Sequence, residues 1–302
     1  MKSLQELLDA AIKNKVKKRL VIASAEDDYV LHAIADAYKL GIVTPLFVGD
    51  KEKILKIIRK EKLDLPTDSI YNIPDQKDSA QLSVELIKNE EADIIMKGLL
   101  PTKTFLKAIL NRKTGITPEG SELSHIGIFE SPYYPKLFGL TDAAINIEPD
   151  ITIKKHIIIN AVKTFHLLGV KNPKVALLAP IENVNPKMRD TVDAAKLVEM
   201  HHEKPYAECI IEGPLALDVA VSEIAAEHKG INSKISGSVD ILVVPEITVG
   251  NVLYKSFTYM GGAKAAGILI GAQAPAVVTS RSDSEESKLF SIALACNLSN
   301  TL

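Results

Sequence analysis

The sequence has few cysteines, no excess of positive charge and no long apolar run, and each absence excludes a class of protein. Only Cys209 and Cys296 occur among 302 residues, so we expect reduced thiols and a cytoplasmic protein. The formal net charge of −2 argues against nucleic acid as a partner, because a polyanion would find no basic field. Apolar stretches such as "DILVVPE" are much shorter than the roughly 20 residues that cross a bilayer, so no membrane association is expected.

Motifs for metals, dinucleotides and serine hydrolysis are also missing. The two cysteines and the adjacent pair His201 and His202 lack the spacing of metal ligands, so we expect no metal. The glycine-rich stretch 261–271 matches neither a Walker loop nor a dinucleotide fingerprint. No Gly-x-Ser-x-Gly elbow surrounds Ser280, which favours a hydrogen-bonding role for this serine over a nucleophilic one.

What the chain does contain is a regular alternation of short β-branched runs with longer amphipathic runs. It begins with "RLVIASA", "DDYVLHAIADAYKLG" and "TPLFVGD", and resumes at "KVALLAP". This pattern predicts an α/β fold with a mainly parallel sheet of about nine or ten strands in doubly wound order. Prolines, glycines and aromatic residues interrupt the alternation between residues 112 and 142, where we expect a boundary between two lobes.

Ser280 and Arg281 directly follow the apolar run "APAVVT", which is typical of a strand. A predicted capping box, Ser282 with Glu285, opens the helix that comes next. A strand end beside a helix N-terminus favours an anion, and an arginine can bind phosphate with two parallel hydrogen bonds. The alternative is a surface ion pair between Arg281 and Asp283 or Glu285.

Polar residues follow several other predicted strands, where ligands of α/β proteins bind. They are Lys97, Gly98, Thr102, Lys103, Lys107 and Arg112 in the first half of the chain, and Asp142, Asn146, Glu246, Asn251 and Lys255 in the second. Asn251 and Lys255 are one helical turn apart and therefore share a helix face. For each residue taken alone, turn formation or packing is the alternative to ligand binding.

Several of these strand ends lie in motifs that resemble one family. The segments "ADIIMKG", "LTDAAINIEPD", "IEGPLALDVAVS", "PEITVGNVLYKSFTYMGGAKAAG" and "TSRSDS" are similar, in order and separation, to those of the phosphate acetyltransferase and phosphate butyryltransferase family. The resemblance implies two α/β/α lobes with mainly parallel sheets, similar to the isocitrate and isopropylmalate dehydrogenase fold. The first lobe is expected to comprise residues 1–130 plus 280–302 and the second residues 131–279, with the active site in the cleft between them.

The family transfers an acyl group reversibly between coenzyme A and inorganic phosphate, with coenzyme A as a substrate and no cofactor. By this resemblance, Arg281 binds the phosphoryl group and Ser280 donates to the developing oxyanion or the leaving oxygen. Acetyl-transferring members have an aspartate seven residues after the serine, where this chain has Ser287. The base that activates the thiol is therefore open, and Asp283 and Glu286 are the candidates.

The resemblance also implies which residues bind the substrates. Asn251 and Lys255 are expected to line the phosphate or coenzyme A site, and Glu246 to orient the substrate. Further substrate-binding candidates are Lys97, Gly98, Thr102, Asp142 and Asn146, and the candidates for the coenzyme A phosphates are Lys103, Lys107 and Arg112. The segments "GPLALD" and "TSRSDS" favour butyryl over acetyl transfer, with broad branched-chain use as an alternative, and the family implies a homodimer or a larger homo-oligomer.

Two other classes of protein have a similar fold. A metal-dependent hydroxyacid dehydrogenase would need clustered aspartates and an arginine-rich site, but the chain has only five arginines. A non-catalytic two-lobe binding protein would keep the cleft but would not need the pair Ser280 and Arg281. Phosphate-dependent activity with an acyl-CoA distinguishes both classes from an acyltransferase.

Overall fold

A computed structural model describes residues 2–14, 16–279 and 283–299, and the chain divides into two compact units. The N-terminal unit comprises Leu4–Leu123 and the chain from Ala266 onward, whereas the middle unit comprises Ser124–Ala265 with the short segment before Leu4. The sequence analysis predicted a division after residue 130 and a return at residue 280. Both changes of unit lie earlier in the chain than these positions. The first falls directly before β5 (Ser124–Glu130), and the second falls within β10 (Lys264–Ile270).

Strands and helices alternate through most of the described residues. The elements are α1 (Leu4–Lys13), β1 (Lys18–Ala23), α2 (Asp28–Lys39), β2 (Val43–Gly49), α3 (Lys51–Lys60), β3 (Ile70–Asn72), α4 (Gln76–Lys88), β4 (Ile94–Lys97), α5 (Thr102–Ile109), β5 (Ser124–Glu130), β6 (Phe138–Thr141), α6 (Ile151–Leu167), β7 (Lys174–Leu178), α7 (Arg189–Glu203), β8 (Ile210–Leu215), α8 (Leu217–Val221), α9 (Glu223–His228), β9 (Ile241–Val243), α10 (Ile247–Lys255), a π-helical turn (Ser256–Met260), β10 (Lys264–Ile270), β11 (Ala276–Val277) and α11 (Glu285–Leu298). The alternation predicted from the sequence is confirmed, and the described residues hold one or two more strands than predicted.

In the N-terminal unit the strand order is β3-β2-β1-β4-β11-β10, with all neighbours parallel except β10 and β11. Leu20–Ala23 of β1 is buried throughout, as expected for a parallel strand with helices on both faces. The chain runs outward from β1 to β2 and β3, and β4 then pairs on the other side of β1. Such a reversal opens a crevice at the carboxyl ends of the strands, the usual ligand position in α/β folds.

In the middle unit the strand order is β5-β6-β9-β7-β8, in which only β5 and β6 are antiparallel. Phe129 of β5 and Phe138 of β6 stack with ring centroids 5.4 Å apart, and Phe257 meets both ring edges. The segment that the sequence analysis assigned to a boundary therefore contains two core strands. Its prolines lie in the turns around these strands, and Gly127 and Gly139 lie within the strands themselves. These residues concealed both strands from a periodicity argument.

The last helix, α11, begins at Glu285, and its N-cap is Ser284, whose hydroxyl accepts the backbone N–H of Ser287 at 3.1 Å. The predicted capping box of Ser282 with Glu285 is therefore wrong as the start of the helix. In a run with three serines within six residues the same chemistry is available at several positions, so the sequence pattern alone does not choose the cap. The consecutive residues from Phe290 to Cys296 are buried, so this part of α11 is enclosed on all sides.

None of the helices within residues 2–14, 16–279 and 283–299 is long and apolar enough to cross a membrane.

Candidate active site

In the middle unit, Asp142 organises the loop that follows β6. Its carboxylate, which is almost fully buried, accepts the backbone N–H groups of Ala144 at 2.9 Å, Ile145 at 3.0 Å and Asn146 at 3.2 Å. The side-chain amide of Asn146 donates to the same carboxylate at 2.7 Å. The two residues that the sequence analysis selected here thus contact each other, and the carboxylate of Asp142 holds the loop in one conformation.

Helix α10 packs directly against this loop. A Cβ on Gly250 would lie 2.5 Å from the carbonyl oxygen of Asp142 and 2.8 Å from the Cα of Ala143. The backbone N–H of Ile247 donates to the carbonyl of Ile147 at 3.1 Å. Only a glycine allows the helix backbone to approach the loop this closely, so Gly250 fixes the position of α10.

Replacing Gly250 by alanine is therefore expected to destabilise the protein by about 2 kcal/mol, although alanine is the better helix former. The added methyl group meets backbone atoms, which cannot rotate away as a side chain can. Urea unfolding measures the change, with Val252→Ala on the exposed face of the same helix as the control. A more stable Gly250→Ala variant would show that helix propensity outweighs the close approach.

Glu246 is the N-cap of α10 and accepts the backbone N–H groups of Thr248 at 3.1 Å and Val249 at 3.3 Å. Partial burial opposes ionisation of Glu246, but these hydrogen bonds outweigh it and lower the pKa of the carboxyl group below its usual value. Asn251 and Lys255 are exposed on α10, so the predicted helix and the four-residue spacing are confirmed. Their binding roles stay predictions.

In the N-terminal unit, the ends of β1 and β4 meet at Gly98. Its backbone N–H donates to the carbonyl of Ala23 at 2.9 Å, and a Cβ on Gly98 would overlap the carbonyl oxygen of Ser24. Ser24 itself has a left-handed backbone with φ of 53°, which is uncommon for a residue other than glycine. The ammonium group of Lys97 donates to the carbonyls of Gly98 at 3.1 Å and Leu100 at 3.3 Å. The predicted position of Lys97 and Gly98 at a strand end is confirmed.

Beside this strand end the N-terminal unit contains a cavity of about 730 Å³. Three lysines on one face of α3, namely Lys53, Lys56 and Lys60, line it, together with Lys77 of α4 and Glu26. We call this space the lysine cavity. It lies where β1, β2, β3 and β4 end, so it occupies the crevice that the strand order predicts.

The charges of the lysine cavity are only partly balanced. Lys53 pairs with Asp50 at 2.8 Å and Lys60 with Glu61 at 2.7 Å. Within the described residues, Lys56 and Lys77 form no ion pair. Burial raises the pKa of Glu26, whose carboxylate accepts the backbone N–H of Asp50 at 3.3 Å. The cavity therefore combines four ammonium groups with two carboxylates: Glu26, which burial makes less acidic, and Asp75, which caps α4. The excess of positive charge suits an anionic ligand.

The sequence analysis named none of these lysines. The available signal was the spacing of three and then four residues in "KEKILKIIRK", which places Lys53, Lys56 and Lys60 on one helix face directly after a strand. The residues that it did propose for the coenzyme A phosphates are exposed, with Lys103 and Lys107 on α5. From that helix, Thr104 lines the cavity.

Ser280 and Arg281 lie outside the described residues, as does Ser282. Before them, Val277 of β11 lies opposite Met96 of β4, so this strand runs toward the same edge of the sheet as Lys97. After them, the backbone carbonyl of Asp283 accepts a hydrogen bond from the ammonium group of Lys288.

The other base candidate, Glu286, is exposed in the first turn of α11. Ser287 stands where acetyl-transferring members of the family have an aspartate, and its backbone N–H donates to the hydroxyl of the N-cap Ser284. No group of three His, Cys, Asp or Glu residues in the described part of the chain is placed to hold a metal ion.

An α/β fold with polar side chains and a basic cavity at the carboxyl ends of its strands is typical of proteins that bind phosphorylated small molecules. Residues 74–296 match the family model described as "phosphate acetyl/butaryl transferase". The chain belongs to this family. It is 43% identical over 295 residues to the phosphate butyryltransferase of Clostridium acetobutylicum, with 98% of this chain and 97% of that protein aligned.

Solved structures agree with this assignment. A branched-chain phosphotransacylase from Enterococcus faecalis superposes with a TM-score of 0.82 at 37% identity, covering 93% of this chain and 99% of that one. A 4-hydroxythreonine-4-phosphate dehydrogenase from Burkholderia phymatum superposes with a TM-score of 0.58 at 13% identity, covering 94% of this chain and 99% of that one. The second likeness concerns the fold alone, and it confirms the predicted dehydrogenase-like α/β architecture.

Proposed function

We propose that this protein transfers a short-chain acyl group, with butyryl preferred, reversibly between coenzyme A and inorganic phosphate. The observation that carries the proposal is the family match over residues 74–296, and the relative from Clostridium acetobutylicum supports butyryl as the acyl group. Acetyl or branched-chain transfer is the alternative, supported by the family description and by the Enterococcus structure. Because one methylene changes binding by only about 1–3 kcal/mol, neighbouring chain lengths are expected to react more slowly rather than not at all.

The proposed step is a direct transfer without a covalent enzyme intermediate. The thiol sulfur of coenzyme A attacks the carbonyl carbon of the acyl phosphate, the carbon–sulfur bond forms, and the bond to the phosphate oxygen breaks. Arg281 offsets the charge on the departing phosphate, and Ser280 donates to the oxygen on which charge develops. A carboxylate of Asp283 or Glu286 takes the thiol proton, because a free thiol has a pKa near 8.5 and is mostly protonated at neutral pH.

We further propose that the lysine cavity binds the phosphates of coenzyme A. Coenzyme A carries a diphosphate and a ribose 3′-phosphate, which require several cations. Lys53, Lys56, Lys60 and Lys77 supply four in one cavity, and Lys56 and Lys77 form no ion pair within the described part of the chain. The cavity lies in the same unit as the strands that precede Ser280.

Other residues complete the proposed site. We retain Lys97, Gly98, Thr102, Asp142, Asn146, Glu246, Asn251 and Lys255 as proposed substrate-binding residues. Four of them already have local partners: Lys97 donates to two backbone carbonyls, Asn146 donates to Asp142, Asp142 holds its own loop and Glu246 caps α10. For Asp142 and Glu246 we propose that they set the backbone geometry of the site.

The reaction as proposed needs no cofactor, with coenzyme A and phosphate as substrates, and we place it in butanoate metabolism in the cytoplasm. We also propose a homodimer or a larger homo-oligomer. The middle unit supports self-association, because Tyr133 and Phe257 line an apolar cavity of about 240 Å³ and Tyr133 is 86% exposed. Light scattering of the purified protein measures the mass, and a monomer would contradict the proposal.

Thiol release from acetyl-, butyryl- and isobutyryl-CoA, with and without phosphate, tests the function. We expect release only with phosphate, and the highest kcat/KM for butyryl-CoA. A preference for acetyl-CoA would preserve the reaction and overturn the proposed substrate. No phosphate-dependent release from any of the three would contradict the acyltransferase and favour a binding protein.

The protein's own thiols, Cys209 and Cys296, are expected not to react with the thiol reagent in this assay. Burial raises the pKa of Cys209 to about 11 and that of Cys296 to about 12. At pH 8 only about a thousandth of the Cys209 groups would then be thiolate, the form that attacks thiol reagents. We expect negligible labelling of the native chain and two thiols per chain in guanidinium chloride; rapid labelling of the native chain would show that Cys209 is less shielded.

A further inference from the structure

A second cavity, of about 340 Å³, adjoins the lysine cavity in the N-terminal unit and is likewise open to solvent. Its volume is typical of small-molecule sites, which measure about 300–1,000 Å³. The residues that line both cavities are Glu26, Ile57, Lys60 and Leu99. Because Asp27, Asp28 and Glu61 line the second one, we call it the acidic cavity. A ligand that occupies both cavities would meet opposite charges at its two ends.

One face of α3 forms a wall of both cavities. The residues on this face are Lys53, Lys56, Ile57, Lys60 and the C-cap Glu61. At 1.5 Å per residue, the distance along the helix axis from Lys53 to Glu61 is about 12 Å. The charge along this wall changes from positive to negative. A ligand with phosphates at one end therefore binds in one direction only, because in the other its phosphates would face carboxylates.

Tyr29, in the first turn of α2, gives the acidic cavity an aromatic wall. It is 58% exposed, so its ring is accessible to a ligand. The half-buried Ile57 adds an apolar surface to the same cavity. An accessible aromatic ring provides a stacking surface for a nucleobase, and an apolar neighbour favours a flat ring over a hydrated ion. The lysine cavity has no aromatic residue among its lining residues, so the two cavities suit different parts of a ligand.

The carboxylates of the acidic cavity accept hydrogen bonds and donate none when ionised. Asp28 accepts the backbone N–H of Tyr29 at 3.0 Å, and Glu61 lies 2.7 Å from the ammonium group of Lys60. Each carboxylate oxygen has two lone pairs, so both groups can accept a further donor from a ligand. The acidic cavity thus suits a flat ring that carries an N–H donor and is linked to phosphates.

We propose that the acidic cavity binds the adenine base of coenzyme A while the lysine cavity holds the coenzyme A phosphates. Tyr29 stacks on the base, and the exocyclic amino group of adenine donates to Asp28 or Glu61. This inference rests on the proposed function. It gives the coenzyme a direction along α3, with the base at Glu61 and the phosphates toward Lys53.

Binding of adenosine 3′,5′-bisphosphate, the nucleotide part of coenzyme A, is the first test, measured by calorimetry on the full chain. Tyr29→Ala is expected to raise Kd about 10-fold, because the stacking surface is lost. Tyr29→Phe keeps the ring and should change Kd less than about twofold. Tyr71→Ala is the matched control, because Tyr71 is an exposed tyrosine of β3 in the same unit that is not among the lining residues of either cavity.

Two altered ligands identify the part of the coenzyme that is bound. Inosine 3′,5′-bisphosphate has a carbonyl oxygen where adenosine has the amino group, and we expect wild-type Kd to be about 10-fold higher for it. Butyryl-4′-phosphopantetheine lacks the nucleotide. Tyr29→Ala is expected to raise KM for butyryl-CoA about 10-fold, to change KM for this shorter thioester less than about twofold, and to leave kcat within about threefold for both.

An unchanged Kd for adenosine 3′,5′-bisphosphate in Tyr29→Ala would overturn the inference, as would an equal rise in KM for the two thioesters. Equal wild-type affinity for the adenosine and inosine bisphosphates would also overturn it, and this comparison needs no variant to fold. If the wild type still shows phosphate-dependent release, these results leave the proposed function intact. A wild type without such release would overturn the proposed function, and the inference with it.

Discussion

Arg281→Ala is expected to lower kcat for phosphate-dependent thiol release at least about 10²-fold, with KM for butyryl-CoA changed by less than about threefold. In the direction of thiol release, a phosphate oxygen attacks the thioester carbonyl carbon, the carbon–sulfur bond breaks and coenzyme A leaves. An arginine that binds the phosphate through two parallel hydrogen bonds holds the attacking oxygen toward the carbonyl carbon, so its loss is expected to lower kcat. Initial rates at saturating phosphate and varied butyryl-CoA separate kcat from this KM.

Two variants control this prediction. Arg281→Lys keeps the charge but cannot form the two-pronged contact, so we expect an intermediate kcat. Arg189→Ala removes an arginine on the surface of α7, where it lies 3.3 Å from Asp193, and should leave kcat unchanged. A full rate in Arg281→Ala would remove this arginine from the mechanism. An equal loss in Arg189→Ala would instead indicate damage to the fold.

The fold was predictable because parallel strands buried on both faces leave a strong record in the sequence. Continuous apolar runs such as Leu20–Ala23 identify β1, and helical periodicity identifies α2. The sequence analysis did not predict β5 and β6, because turn residues surround them and such residues usually indicate a loop. Their pairing depends on contacts between Phe129 and Phe138, which are distant enough in sequence to leave no local pattern.

The site was predictable to the extent that its residues follow strands directly. Lys97, Gly98 and Asp142 do so, and the structure has each of them at a strand end. The sequence did not reveal the local hydrogen-bond partner of each polar group, such as the backbone N–H groups that donate to the carboxylates of Asp142 and Glu246. It also missed the lysine cavity, since its walls come from elements that only the strand order brings together.

The lysine cavity leads to the second large effect. Replacing Lys53, Lys56 and Lys60 together by alanine is expected to raise KM for butyryl-CoA about 10²-fold and to leave kcat within about threefold of the wild type. Lys53 and Lys60 are largely exposed, so solvent screens the attraction of each lysine to a phosphate, and the large effect requires the loss of all three charges together. The wild-type KM should rise with salt, and the variant's KM should rise less.

The alternative set of cations provides the control. Lys103, Lys107 and Arg112 are equal in number and exposed in the same unit, and we expect less than about a threefold change in KM when all three become alanine. Butyryl-dephospho-CoA, which lacks the ribose 3′-phosphate, separates the groups bound: if the cavity holds that phosphate, the cavity variant will discriminate little between the two thioesters. If KM rises strongly when Lys103, Lys107 and Arg112 are replaced and does not change when the cavity lysines are replaced, the coenzyme A phosphates bind at α5 and the residues that follow it, and not in the lysine cavity.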